Sequence, residues 1–351
     1  MVIGAKPPKR PFASDNSAGA HPAVMEGIAA ANQGHTLAYG SDPWTDRLVE
    51  EFSRLFDTDV ATYPTFNGTG ANVLALGTVL GPGEAVVSTP WSHITVDETG
   101  APERILGTKI IEVPSSDGKI AVDALASLDH LRGVQHHSQP GVLSITQVTE
   151  LGTVYTPDEI TALVDASHER GMRVHLDGAR LANAAAAVGG IESLRAMTVG
   201  AGVDVITFGG TKNGGLGAEA VVVLDPDLAA PVPYLRKQYN QLASKMRFLS
   251  AQLLVLLRDD LWLDLASHAN AMGARLYEAT RKIPGVDHPW TPEANSVFPV
   301  LPLDVVSPLQ EWSFFWPWDP EKGQVRWMTA WDTTEEDVEL FSLGVAEIMG
   351  S

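Results

Sequence analysis

The stretch Val174-His175-Leu176-Asp177-Gly178-Ala179-Arg180 joins an apolar strand to a carboxylate, a glycine turn and an arginine. Short apolar runs of this kind alternate with longer helical patterns through the middle of the chain, at residues 85–88, 109–113, 142–146, 173–176, 203–208 and 219–224. This alternation predicts an α/β fold with a mixed, mostly parallel sheet flanked by helices. Because open α/β sheets bind ligands at the carboxyl ends of their strands, Asp177 and Arg180 become candidate site residues.

The clearest helix signal lies between two of these strands. Thr156 is placed as an N-cap, Pro157 occupies the first turn and Glu159 completes a capping box, while Gly171 ends the pattern. These signals predict a helix that connects two parallel strands.

The alternation of strands and helices ends at about residue 250. Long helical patterns and a segment rich in Trp and Pro, residues 312–320, follow. We expect an N-terminal segment of residues 1–16, a large domain of residues 17–250 and a smaller α+β domain of residues 251–351. The aromatic segment is interpreted as core or subunit contact.

The composition excludes several classes of protein. The chain has 351 residues, of which 24 are Lys or Arg and 43 are Asp or Glu, so its net charge of −19 disfavours nucleic acid and anionic membranes as partners. It has no cysteine, which excludes disulfides and thiolate metal sites. The beginning of the chain does not resemble a signal peptide, and the most apolar run, residues 248–257, is far shorter than the roughly 20 residues that span a bilayer. We therefore expect a cytoplasmic protein.

The sequence Asn67-Gly68-Thr69-Gly70-Ala71-Asn72 precedes an apolar helical pattern. If Gly68 and Thr69 open that helix, their backbone N–H groups and the hydroxyl of Thr69 form a site for a phosphate dianion. The alternative is an ordinary helix start with permissive glycines. The stretch is not a dinucleotide fingerprint, because Val73 stands where the third glycine would be, and this disfavours a dehydrogenase.

Asp177 follows its strand directly and has several possible roles. It could bind a metal, act as a base, or hold the protonated nitrogen of a pyridine ring; it could also cap a helix or pair with Arg180. A metal site is disfavoured because the sequence contains none of the common metal-binding motifs, and the pair His136-His137 lies in a polar stretch.

Lys212 lies in the sequence Phe208-Gly209-Gly210-Thr211-Lys212-Asn213-Gly214-Gly215, directly after another predicted strand. Glycine pairs on both sides of the lysine allow close approach of a ligand. A desolvated lysine loses its proton readily and forms Schiff bases, so Lys212 is the candidate covalent residue.

The three features fit one ligand, pyridoxal 5′-phosphate (PLP). Its phosphate needs the cradle at Gly68 and Thr69, its pyridine nitrogen needs a carboxylate such as Asp177, and its aldehyde needs an amine such as Lys212.

The chain resembles the low-specificity L-threonine aldolases, which belong to the β-eliminating lyase-like group of fold type I PLP enzymes. The resemblance spans nearly the whole chain. Its stretches are residues 12–16, 38–42, 67–72, 92–93, 175–180, 208–215, 244–247 and 325–326. The Asp-Gly-Ala-Arg sequence combined with the lysine loop is the specific part of the match.

The resemblance implies a role for each matching residue in binding the cofactor. Lys212 forms the Schiff base, Asp177 faces the pyridine nitrogen and His93 stacks on the ring. The phosphate is held by Gly68, Thr69 and Arg247, with Arg247 supplied by a neighbouring subunit.

The resemblance also implies the substrate site and the assembly. Ser14, Arg180 and Arg326 bind the substrate carboxylate, and Arg180 also lies near the phenolic oxygen of the cofactor. Tyr39 reaches into the site of a neighbouring subunit, and the assembly is a homotetramer.

The expected reaction is retro-aldol cleavage of L-threonine, L-allo-threonine and related β-hydroxy-α-amino acids to glycine and an aldehyde, with His93 as the base that removes the hydroxyl proton. Asp97 lies four residues after His93, so on a helix it would orient the imidazole. One branch of the family has a second histidine where this chain has Thr149-Glu150, which leaves the proton acceptor open. Two alternatives also stay open: another PLP enzyme acting on amino acids, such as an aminotransferase, racemase or β-eliminating lyase, and a binding protein without activity.

Overall fold

The computed structural model describes residues 3–350. Its main sheet has seven strands in the order β1-β7-β6-β5-β4-β2-β3. Strands β2 to β6 pair in parallel, whereas β7 runs antiparallel to both β1 and β6. The strands are β1 (Ala61–Thr65), β2 (Glu84–Ser88), β3 (Ile110–Glu112), β4 (Gln139–Thr146), β5 (Arg173–Gly178), β6 (Val205–Gly209) and β7 (Glu219–Val223). The prediction of a mixed, mostly parallel sheet is confirmed.

Helices cover both faces of this sheet and continue into the C-terminal part. They are α1 (Pro22–Ala31), α2 (Pro43–Phe56), α3 (Gly68–Val79), α4 (His93–Val96), α5 (Ala101–Leu106), α6 (Pro157–His168), α7 (Leu181–Val188), α8 (Ile191–Met197), α9 (Val232–Gln238), α10 (Arg247–Leu257), α11 (Leu261–Thr280), α12 (Leu303–Trp312) and α13 (Glu335–Met349). Short 3-10 helices span Asp15–Ser17, Val122–Leu131, Thr211–Asn213, Pro226–Leu228 and Arg258–Asp260. The predicted capping box is present: Thr156 accepts from the N–H of Glu159, and Glu159 accepts from the N–H of Thr156.

A second, three-stranded antiparallel sheet lies in the C-terminal part, in the order β8-β10-β9. Its strands are β8 (Ser296–Val297), β9 (Trp316–Asp319) and β10 (Gln324–Met328). The core beside this sheet contains Trp327 of β10 and Phe341 of α13. It also contains Phe315, which belongs to the aromatic segment. Phe314 and Trp316 of the same segment are exposed.

The main core of the large sheet and the core of the C-terminal part do not meet at residue 250. Residue 250 lies inside α10, whose buried leucines belong to the core of the large sheet, and that core continues into α11 at Ala266 and includes Ala294. Phe12 of the N-terminal segment packs in the second core with Met272 and later residues. The division into domains remains a prediction, and its residues 1, 2 and 351 lie outside the described part.

Strand β1 is absent from the predicted set. It contains Pro64, which has no N–H to donate and is tolerated here because β1 is an edge strand paired only with β7. Within residues 3–350, no helix is long and apolar enough to cross a membrane.

Candidate active site

A cavity of about 240 Å³ lies at the carboxyl ends of β5 and β6. Its lining brings together Gly68, Thr69, His93, Asp177 and Lys212. These residues come from four separate parts of the sequence, so the structure joins in one place the three features that point to a single ligand. A larger cavity of about 470 Å³, bordered by α2, α8 and α10, contains none of them.

The cradle for an anion is the first turn of α3. Asn67 caps this helix, and its Oδ1 accepts a hydrogen bond of 2.7 Å from the N–H of Gly70. A Cβ atom added at Gly68 would meet open space, whereas one at Gly70 would lie 2.2 Å from the side chain of Gln241. Gly68 thus faces the cavity, and Gly70 allows Gln241 to pack against the helix.

Asp177 is almost fully buried at the end of β5. Its Oδ1 accepts from the N–H of Ala179 at 3.0 Å, and its Oδ2 accepts from Nδ2 of Asn72 at 2.9 Å. Burial acts to raise the pKa of Asp177, but charge from His175 and Lys212 and these hydrogen bonds lower it below its ordinary value. Because burial lowers the pKa of His175 to about 4, that imidazole is neutral near pH 7, and Lys212 and the hydrogen bonds keep Asp177 ionised.

Lys212 lies on a 3-10 turn directly after β6. Burial and the charge of Arg180 lower the pKa of its amine, and its Nζ has no hydrogen-bond partner among residues 3–350. The flanking glycines allow close backbone packing: a Cβ at Gly209 would lie 2.4 Å from the carbonyl oxygen of Ala179. The lysine loop is therefore packed against the turn that follows Asp177.

Glu98, and not Asp97, orients His93. Nδ1 of His93 lies 2.9 Å from Oε1 of Glu98, whose side chain is fully buried. The prediction for Asp97 is wrong because α4 ends at Val96, so the chain leaves the helix at Asp97 and the side chain of Asp97 stays exposed. The hydrogen bond to Glu98 raises the pKa of His93 above its ordinary value.

Glu150 is a site residue to which sequence reasoning assigned no role. Its Oε1 accepts hydrogen bonds from the N–H of His93 at 2.8 Å and from the hydroxyl of Thr146 at 2.9 Å. Burial and the nearby charge of Asp177 raise its pKa to about 7, although its two backbone hydrogen bonds act in the opposite direction. Its position just after β4 is the signal that could have identified it.

Two arginines lie near the cavity, and they differ in how their guanidinium groups are paired. Arg180 forms a bidentate ion pair with Asp15, through Nε at 2.6 Å and one terminal nitrogen at 2.8 Å. Ser14 caps the short helix that holds Asp15. Nε of Arg326 is buried without a hydrogen-bond partner, and its guanidinium lies 5.6 Å from the centre of the Trp318 ring. Burial and the charge of Arg180 lower the pKa of Arg326 to about 10.

Tyr39 and Arg247 lie outside this cavity in the same chain. Arg247 donates to the carbonyl oxygen of Gly34 and to the hydroxyl of Thr36, both at 3.3 Å, and lines a separate cavity. Tyr39 is 52% exposed and contacts Lys237.

The residues present fit PLP. The glycine-lined helix start suits a phosphate, the unpaired amine of Lys212 suits an aldehyde, and the ionised carboxylate of Asp177 suits a protonated pyridine nitrogen. Among residues 3–350, no group of three or more His, Asp or Glu side chains could hold a metal ion.

The fold and the site together define a class of protein: the chain belongs to the beta-eliminating lyase family, whose model matches residues 11–301. It is 40% identical over 343 residues to the low specificity L-threonine aldolase of Pseudomonas aeruginosa, a match that covers 97% of this chain and 98% of that protein. The solved structure of Leishmania major threonine aldolase superposes with a TM-score of 0.89 at 30% identity and covers 96% of this chain and 99% of that one. An aspartate aminotransferase from Rhodobacter sphaeroides shares the fold, with a TM-score of 0.70 at 18% identity, 99% coverage of this chain and 95% of that one. The predicted resemblance is thereby confirmed.

Proposed function

We propose that the chain cleaves L-threonine, L-allo-threonine and related β-hydroxy-α-amino acids to glycine and an aldehyde, with PLP as cofactor. The observation that carries this proposal is the unpaired amine of Lys212 in one cavity with Asp177 and the helix start at Gly68. The 40% identity to a low specificity L-threonine aldolase supports the choice of reaction.

Each part of the cavity would hold one part of the cofactor. The first turn of α3 would bind the phosphate, Lys212 the aldehyde carbon and Asp177 the pyridine nitrogen, while His93 would stack on the ring. When bound, PLP supplies the electron sink for the pair released as the Cα–Cβ bond breaks. The lowered pKa of Lys212 favours the neutral amine that carbonyl chemistry requires.

Arg326 is the residue we assign to the substrate carboxylate. Its guanidinium has a buried nitrogen without a partner, and a bidentate carboxylate would satisfy it. Arg180 is already paired with Asp15, and that ion pair holds its side chain beside Lys212 and Arg326. We therefore propose that Arg180 and Ser14 shape this end of the site, and that Arg326 makes the main contact with the substrate.

We assign His93 to the proton of the substrate hydroxyl. With its Nδ1 facing Glu98, the imidazole has its other nitrogen, Nε2, available as a proton acceptor. The hydrogen bond to Glu98 stabilises the imidazolium that forms when the proton arrives.

We propose that neighbouring copies of the chain complete each site, in a homotetramer. Lys212 is the only Lys or Arg among the residues that line the cavity within the described chain, and a phosphate dianion calls for more positive charge. Around Tyr39, four cationic side chains have no ion-pair partner among residues 3–350: Arg236, Lys237, Lys245 and Arg247. Arg247 and Tyr39 of one copy would reach the phosphate and substrate of the next. Residence in the cytoplasm likewise stays a prediction.

Product analysis tests this function. The purified chain with added PLP is incubated with L-threonine, L-allo-threonine and L-alanine, the last with 2-oxoglutarate as amino acceptor. Glycine, aldehydes, pyruvate and D-alanine are quantified. Glycine and acetaldehyde in equal amounts from the first two substrates are expected. Pyruvate or D-alanine instead would assign the site to an aminotransferase or racemase.

A further inference from the structure

A chain of hydrogen bonds connects His93 to Asp177 behind the cavity. Nδ1 of His93 lies 2.9 Å from Oε1 of Glu98. The same oxygen accepts a bond of 2.9 Å from Nδ2 of Asn72, and that Nδ2 donates a second bond of 2.9 Å to Oδ2 of Asp177. One amide group therefore bridges two carboxylates, that of Glu98, which contacts His93, and that of Asp177, which lines the cavity.

The surroundings fix the orientation of the Asn72 amide. Its Oδ1 accepts from the hydroxyl of Thr207 at 3.2 Å. A flipped amide would direct its oxygen at the carboxylates of Glu98 and Asp177 and lose both hydrogen bonds. The bridge thus has only one arrangement in which the amide is satisfied.

The side chain of Glu98 is held by this series of hydrogen bonds. Its side chain is fully buried, and its Oε2 has no hydrogen-bond partner among residues 3–350. Within the described part of the chain, the side chain of Glu98 forms hydrogen bonds only through Oε1, to His93 and Asn72. Because a buried carboxylate is costly unless it is hydrogen-bonded, these two contacts hold Glu98 in place.

We propose that Glu98 and Asn72 are linked positioning residues, which hold the His93 imidazole with its proton on Nδ1 and connect it to the carboxylate of Asp177. Neither residue touches the reacting atoms. Their role in the reaction rests on the proposed function, because it presupposes that His93 is the base and that Asp177 holds the cofactor.

Other charges also act on His93 and must be distinguished from Glu98. Asp177 raises its pKa and Lys212 lowers it, and the backbone N–H of His93 donates to Glu150. Asp97 is the matched control, since it adjoins Glu98 but its side chain makes no hydrogen bond to the imidazole within the described part of the chain.

The first test measures the tautomer and the proton affinity of His93 by nuclear magnetic resonance in the full chain with labelled histidine, with and without PLP. The His93→Asn variant identifies its signals among the 10 histidines. We expect the Nδ1–H tautomer. Glu98→Gln keeps an oxygen acceptor but removes the charge, so the tautomer should persist while the proton affinity falls about tenfold. Glu98→Ala should also lose the tautomer preference, and Asp97→Asn should change the affinity by about twofold or less.

The second test asks whether Asn72 transmits the influence of the Glu98 charge to Asp177 and the cofactor. In the PLP-bound chain, the pH midpoint of the visible absorbance change reports on the cofactor. Glu98→Gln should shift this midpoint in the otherwise unchanged chain and should not shift it in an Asn72→Leu background. Thermal unfolding of each variant shows whether it folds. If Glu98→Ala does not fold, the nearly isosteric Glu98→Gln variant alone tests the role of Glu98.

Two results would overturn the proposal: an Nε2–H tautomer in the unmodified chain, or a proton affinity that Glu98→Gln leaves unchanged. An equal midpoint shift with and without Asn72 would refute the connection to Asp177. Failure of the proposed function is distinguishable, because the tautomer and affinity are measured without substrate.

Discussion

Replacing Glu150 by Gln should make the stability of the protein less sensitive to pH. Burial and the charge of Asp177 raise the pKa of this carboxyl from 4.5 to about 7. Between those pH values the unfolded chain has lost the proton that the folded chain still binds. The free energy of unfolding therefore falls as the pH rises through this window.

The size of the effect follows from the pKa difference. A pKa raised from 4.5 to about 7 corresponds to about 3 kcal/mol at most. The Glu150 side chain is only partly buried, and screening by solvent lowers the expected difference to about 1–2 kcal/mol. Glu150→Gln mimics the neutral form, so the variant should match the parent at pH 4 and exceed its stability by this amount at pH 8.

Urea unfolding at a series of pH values, at one protein concentration, measures the difference. Titration of all other groups is common to both proteins and cancels. Glu26→Gln, a change at an exposed glutamate on α1, is the control and should run parallel to the parent. Parallel curves for Glu150→Gln as well would refute the assignment of a raised pKa to Glu150.

Three further outcomes concern the site. Arg326→Gln should raise KM for L-threonine at least about 100-fold while the affinity for PLP stays within about twofold, because a charge-assisted bond to the substrate is lost; equal losses in KM and PLP affinity would contradict this role. Trp318→Leu removes the ring beside the Arg326 guanidinium and should raise KM about threefold to tenfold, with kcat preserved, whereas Trp318→Phe should have the smaller effect. If sites are shared between copies, Lys212→Ala and Arg247→Ala chains that are unfolded and refolded together should recover up to about a quarter of the parent activity. Half of the refolded pairs then contain one chain of each variant, and one of the two sites in such a pair is intact. No gain over the separate variants would mean that each chain forms its own site.

The sequence was sufficient for the architecture and for the residues at strand ends. Asp177 and Lys212 follow apolar runs on neighbouring strands, and parallel strands bring their carboxyl ends to one edge. Strand β1 escaped prediction because Pro64 interrupts its pattern and only its edge position makes that proline tolerable.

Contacts that depend on local breaks or distant segments were not predictable. A helical spacing favoured Asp97 as the partner of His93, but α4 has only one turn, and the next residue, Glu98, turns inward. The ion pair of Arg180 with Asp15 joins residues 165 positions apart. Sequence spacing contains no information on either, because both depend on how separate elements pack.

The proposed role of Lys212 is tested by the rate of glycine formation from L-threonine with added PLP, in the parent chain and in two lysine variants. We expect that Lys212→Ala abolishes glycine formation and the visible absorbance of bound PLP, while Lys282→Ala, which changes an exposed lysine, retains both. Glycine formation by the Lys212→Ala chain at the parent rate would contradict this role.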